Sequence, residues 1–134
     1  MSSRDDIGKL IIRLAVGILM LFHGVAFLGG DHAILNRVAS YGMPEIIGWG
    51  GAIFGELVGP ILILLGVYSR IGGALVTVFM LTAIALSHNN HLFMLSERGG
   101  GYFLELQMFF LLTALSIFVT GAGRYGLGIG GRWN

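Results

Sequence analysis

The chain has no cysteine. That excludes disulfides, cysteine-held iron–sulfur clusters and thiol chemistry within the chain, and it leaves the redox compartment open. Charge is scarce as well. Only 11% of the 134 residues are charged, where a soluble domain carries about a quarter. A net charge of +1 supplies no basic field, so nucleic acid is not an expected partner. Carboxylate–histidine pairs at metal-site spacing are missing too. The residue three after Glu56 is Gly59, and three after Glu105 is Met108, so no Glu-x-x-His motif exists and no metal is expected. The glycine run 99–101 has no Lys-Ser/Thr after it, so it reads as a turn and not as a phosphate loop.

What is present is apolar. Hydrophobic residues make up 55% of the chain and its mean hydropathy is +0.84, the composition of an integral membrane protein. The pattern predicts an all-α, four-helix membrane bundle forming one domain over 1–134, with helices at about 7–28, 45–67, 71–88 and 102–120. The polar start from Met1 to Lys9 precedes a long apolar stretch without a clear cleavage site. That stretch is therefore expected to stay as the first membrane helix. Pro44 marks the start of the second helix and Pro60 is expected to kink it. The connector from Asp31 to Pro44 carries Ile34, Leu35, Val38 and Tyr41 at helical spacing, which suggests a short helix along the membrane surface. The glycine-rich tail after Arg124 is expected to be loosely ordered.

Four spans put both termini on one side. Arg4, Lys9, Arg70, Arg124 and Arg132 share that side, against Arg37 and Arg98 on the other. The positive-inside rule then predicts cytoplasmic termini.

The polar residues within the spans are few. Glu56 sits in the apolar run from Ile46 to Tyr68, where a carboxyl must face protein or a water-filled cavity. Gly51, Gly55 and Gly59 repeat every four residues beside it, a small-residue side that lets another helix come close. Counting depth along the helices gives an Arg13–Glu56 level and an outer level of His23, His88 and Glu105, with His91 just beyond. Each has a plainer reading. Arg13 snorkels to the headgroups or forms a structural pair with Glu56. His23 hydrogen-bonds a backbone carbonyl, His88 and His91 are interfacial, and Glu105 caps its helix.

Two chemistries suit this set. A quinone ring needs a donor or proton carrier at each carbonyl, a flat apolar slot and access from lipid, and histidine and a carboxylic acid serve as proton carriers. Haem, ligated by His23 and His88, is the weaker alternative.

The residues also carry a family resemblance. Arg13-Leu14-x-x-Gly17-x-x-x-x-Phe22-His23-Gly24 resembles the first helix of the DoxX family. Glu56-Leu57-Val58-Gly59, then Leu64-Leu65-Gly66 and Ser69-Arg70, resembles its second helix and turn. His88, the glycine run with Tyr102, Glu105 and Gly121-Ala122-Gly123-Arg124 follow in order. Pro60 departs from the pattern, where a second glycine is common, as does the glycine-rich tail. The resemblance implies a small four-helix protein of the bacterial or archaeal cytoplasmic membrane. The related DoxD proteins are subunits of thiosulfate:quinone oxidoreductase, so the resemblance raises the quinone reading. By that analogy Glu56 and His23 are the candidate catalytic residues, and Arg13, His88 and Glu105 bind or orient the quinone. Arg13 would also set the charge state of Glu56.

The leading expectation is thus a membrane redox component that binds quinone and works with a partner, or a thiol or sulfur donor, that supplies electrons. Two rivals stand beside it. One is a non-enzymatic assembly or anchoring subunit, motivated by the glycine side of the second helix, which holds a protein partner or a second copy. The other is a small-molecule or proton carrier that depends on Glu56.

Overall fold

The computed structural model describes residues 3–30, 32–87, 92–96 and 101–134. Helix α1 spans Ser3–Leu28. It begins a turn earlier than the apolar pattern implies. Asp5 and Asp6 occupy its first turn, where carboxylates complement the helix dipole. Asp6 is buried and its Oδ1 accepts the Arg124 N–H at 3.1 Å, so this polar turn belongs to the bundle.

The connector after α1 does fold into a helix, α2, at Ala33–Ser40. Its apolar side turns inward: Leu35 and Val38 are buried, and Leu35 covers Gly48 of the next helix.

Helix α3 runs Glu45–Leu65, starting directly after Pro44 as expected. Its interior is not uniform. Glu45–Ala52 is α-helical, Ile53–Val58 is a π-helical turn, and Gly59–Leu65 is α-helical again. The Gly59 N–H donates to the Phe54 carbonyl, five residues back. Proline has no N–H to give to Glu56, and in a regular helix its ring would press on that carbonyl. The wider π register just before Pro60 is one way to absorb this mismatch. The helix ends at Gly66, whose φ of 66° is left-handed, with Val67 N–H returning to the Leu62 carbonyl at 3.1 Å. A side chain there would suffer the left-handed backbone and also collide with Arg13 and Gly126, so glycine is required twice over.

Helix α4 is Ser69–Ser87 and α5 is Glu105–Thr120. The fourth long helix begins three residues later than Tyr102. Backbone pairing explains the delay: Ser96 N–H donates to the Gly101 carbonyl and Phe103 N–H to Met94, and the Tyr102 hydroxyl donates to the Leu92 carbonyl at 2.8 Å. Residues 101–104 are therefore held by the preceding connector.

Helix α4 packs on both α3 and α5, and α1 packs on the same two. Val16, Met20, Ile63, Val76, Ala114 and Ile117 form the centre of the core. The glycine side of α3 meets α4: Gly55 lies against Phe79, and Gly59 against Val76 and Gly72. Helices α1, α3 and α4 are each long and apolar enough to cross a membrane, while α5 is apolar with 16 residues. Exposed Phe22, Val25, Val78 and Leu112 give the bundle an outer surface suited to lipid.

The tail overturns its expectation. Its backbone is fastened to the bundle: Leu127 N–H donates to Leu65, and the Ile129 carbonyl accepts from Tyr68 at 2.9 Å. Ala122, in the segment that leads into the tail, is fully buried.

Candidate functional site

Register between α1 and α3 decides which polar groups can meet. The two helices run antiparallel. Gly17 faces Leu64 and the Pro60 carbonyl, while Gly24 faces Leu57 and the Glu56 carbonyl. A Cβ at Gly24 would overlap that carbonyl oxygen. The close approach therefore depends on glycine and puts Glu56 level with His23 and Gly24.

Arg13 is ten residues from His23, a rise of ~15 Å along the helix. The expected Arg13–Glu56 level is therefore corrected. Arg13 lies at the end of the bundle that holds the termini, and its side chain is 1% exposed. Its guanidinium donates to three backbone carbonyls: Nε to Ile63 at 2.8 Å, Nη2 to Leu64 at 2.9 Å and Nη1 to Ala122 at 3.1 Å. Two of these carbonyls belong to the last turn of α3, where the helix itself offers few donors. Arg13 neither snorkels to the surface nor lies within reach to set the charge state of Glu56. It ties the end of α3 to the tail.

At the opposite level, a cleft of about 370 Å³ opens among α1, α2, α3, α4 and α5. Five helices bring polar groups to it: His23 from α1, Arg37 from α2, Glu56 from α3, Ser87 from α4 and Gln107 from α5. Phe27, Ile34, Phe79 and Met80 provide apolar wall. Glu56 is half-buried. The exposed His23 ring makes a T-shaped contact with Phe110, centroids 5.8 Å apart and planes at 90°, which favours one orientation beside the opening.

The structure thus brings His23 and Glu56 together and leaves Arg13 apart. Glu105 is exposed, opens α5 and folds its carboxylate back towards Gly101. It is absent from the lining of the cleft, and its position in the first helical turn suits the helix dipole. His88 and His91 lie outside the described residues. Among the described residues no group of three or more His, Asp or Glu side chains could hold a metal ion.

Arg37 and Gln107 are the residues that sequence reasoning passed over. Signals for both existed. Arg37 precedes Val38 on a short helix whose apolar side had to face the bundle. Gln107 is an amide inside an otherwise apolar run from Leu106 to Leu112.

Chemically, the cleft offers an imidazole, a carboxyl, an amide and a guanidinium around an opening with flat apolar walls. Such a set can orient a small ring with two polar edges and exchange protons with it.

Known proteins agree with this class of molecule. A putative oxidoreductase, CatD of Bacillus subtilis (strain 168), is 27% identical over 122 residues, covering 91% of this chain and 85% of that protein. No solved structure gives a significant match. The family model described as DoxX matches residues 8–89, well over half of the chain, and the chain therefore belongs to the DoxX family.

Proposed function

We propose that the cleft receives the ring of a quinone and that the protein is a membrane redox component acting with a partner. The observation that carries this reading is the convergence of His23, Arg37, Glu56 and Gln107 on one apolar-walled opening. Membership of the DoxX family and the likeness to a putative oxidoreductase support it.

A bound quinone supplies two-electron chemistry, taking up two electrons and two protons as it becomes quinol. The Glu56 carboxyl and the His23 imidazole hold and exchange those protons at the ring oxygens. Gln107 and Arg37 donate hydrogen bonds that orient the ring. The cysteine-free chain has no thiol to act as an electron carrier, so the electrons have to be supplied from outside it, by a partner protein or by a thiol or sulfur donor. Arg13 stays outside this exchange and holds the fold.

The assembly-subunit alternative keeps only part of its motive, since of its three glycines Gly51 alone faces an open groove without a close neighbour. The side of α3 that bears Gly55 and Gly59 is already covered by Phe79, Val76 and Gly72 of the same chain.

The test is purification in mild detergent and mass spectrometry of the organic extract, for wild type and Glu56→Gln in parallel. Quinone enriched over bulk lipid in the wild type and depleted in the variant is the expected result. Equal quinone content in both, or none above bulk lipid, overturns the proposal.

A further inference from the structure

A second opening lies on the other side of Phe79. It is a groove of about 540 Å³ between α2, α3 and α4, reaching from Met43 and Leu86 to Ile71. Gly50, Gly51 and Gly55 contribute to its lining. Thr82 brings the one side-chain hydroxyl of that lining, and this hydroxyl is already bonded to the Val78 carbonyl at 2.9 Å. Among its described lining residues the groove therefore offers a ligand no free side-chain hydrogen-bond donor.

The two openings share Ile34 and Phe79. On α3 they take consecutive residues: Gly55 lines the groove and Glu56 lines the cleft. A polar opening beside an apolar one, with Ile34 and Phe79 as their common wall, matches an amphiphile whose polar ring and long apolar chain are parts of one molecule. Resting on the quinone reading of the cleft, we infer that the isoprenoid chain of the same quinone lies in this groove, passing between its two openings beside Phe79 and Ile34. The groove then selects for prenylated over chainless quinones. In a bilayer both the groove and the lipid are apolar, so the selectivity comes from close packing along the chain and not from escape from water.

The glycines permit a specific test. A Cβ on Gly51 would stand 3.7 Å from Phe79, an ordinary contact, and one on Gly50 would meet nothing within 4 Å. Gly51→Ala therefore keeps the groove open, while Gly51→Leu and Gly50→Leu fill it without clashing at Cβ. Two quinones with the same ring, one prenylated and one with only a methyl group, are titrated against wild type, these three variants and Glu56→Gln. Each variant is first checked for a thermal midpoint close to wild type.

The leucine variants are expected to weaken the prenylated quinone about tenfold or more and to leave the methyl quinone unchanged. Gly51→Ala should change neither, and Glu56→Gln should weaken both. If the leucine variants weaken both quinones equally, or neither, the inference is overturned and the groove is occupied by acyl chains of bulk lipid. If wild type binds neither quinone, the reading of the cleft falls and the inference falls with it. If it binds the methyl quinone but shows no preference for the prenylated one, only the inference falls.

Discussion

Arg13 shows how a costly residue is made tolerable inside an apolar bundle. An arginine buried to this degree needs several acceptors, and it finds three carbonyls on two separate segments. No acidic side chain is needed, because carbonyls at the end of a helix carry partial negative charge. Removing the guanidinium takes a donor from each of these carbonyls, although Ile63 keeps the Gly66 N–H. Hydrogen bonds to charged groups contribute about 1.5–3 kcal/mol each, and they are not additive. Arg13→Met is therefore expected to lower stability by about 3 kcal/mol or more. Arg13→Lys should recover only part of that loss, since an ammonium lacks the planar fork that reaches three acceptors. Thermal unfolding in detergent of the two variants beside wild type checks the order. A Lys variant as stable as wild type would refute the account of three carbonyl bonds. Both variants should keep the methyl quinone bound wherever they remain folded, because Arg13 is remote from the cleft.

At the scale of elements, the π turn is the feature that links sequence to site. It presents Gly55 to the groove and Glu56 to the cleft, and it leaves the Glu56 carbonyl beside Gly24 of α1. Proline at 60 favours this register, since it cannot serve as donor in an α ladder. Pro60→Ala restores a donor and lets the ladder close as a regular α-helix. Residues before the turn would then rotate by ~100° relative to those after it, the angle per residue of an α-helix. That rotation takes Gly55 from under Phe79, so the variant should be less stable than wild type and quinone binding should fall. Circular dichroism melts together with ring-quinone titration measure both. Lost stability with unchanged binding would contradict the coupling. The helices themselves were legible in the sequence, because apolar runs between Gly and Pro boundaries state length and place. Proline at 60 announced a disturbance, but not that it would be a widened turn. The cleft was only half legible. His23 and Glu56 stood out as polar groups in apolar helices, yet the level of each depended on the α1–α3 register. That register is fixed by Gly17 and Gly24 fitting against α3, a three-dimensional fact that depth counting along single helices does not contain. Glu105 was read as part of the site for a related reason: the connector pairing that delays α5 joins Leu92, Met94 and Ser96 to residues 101–103, which helical periodicity does not reveal.

For the whole molecule, the two ends of the bundle have different tasks. The connector end holds the cleft and the groove. The other end is closed by the tail, through Asp6, Arg13, Leu65 and Tyr68. A glycine-rich composition concealed this order, because glycine supplies the left-handed backbone at Gly121, Gly123 and Gly128 that lets the tail turn over the helix ends. Both termini therefore lie at the closed end, together with Arg4, Lys9, Arg70, Arg124 and Arg132. An excess of cations there predicts that this end faces the cytoplasm, so that the cleft opens near the outer face of the membrane. The absence of cysteine makes the prediction easy to check, since any thiol is one that has been introduced. Phe93 is 98% exposed in the second connector and Leu127 is 66% exposed in the tail, so a cysteine at either position is accessible without repacking. In intact cells a membrane-impermeant maleimide should label Phe93→Cys, and should label Leu127→Cys only after permeabilisation. The reverse pattern would invert the topology, and the proton exchange proposed for His23 and Glu56 would then draw on the cytoplasm. Orientation thus decides which compartment would gain or lose the protons of the proposed exchange.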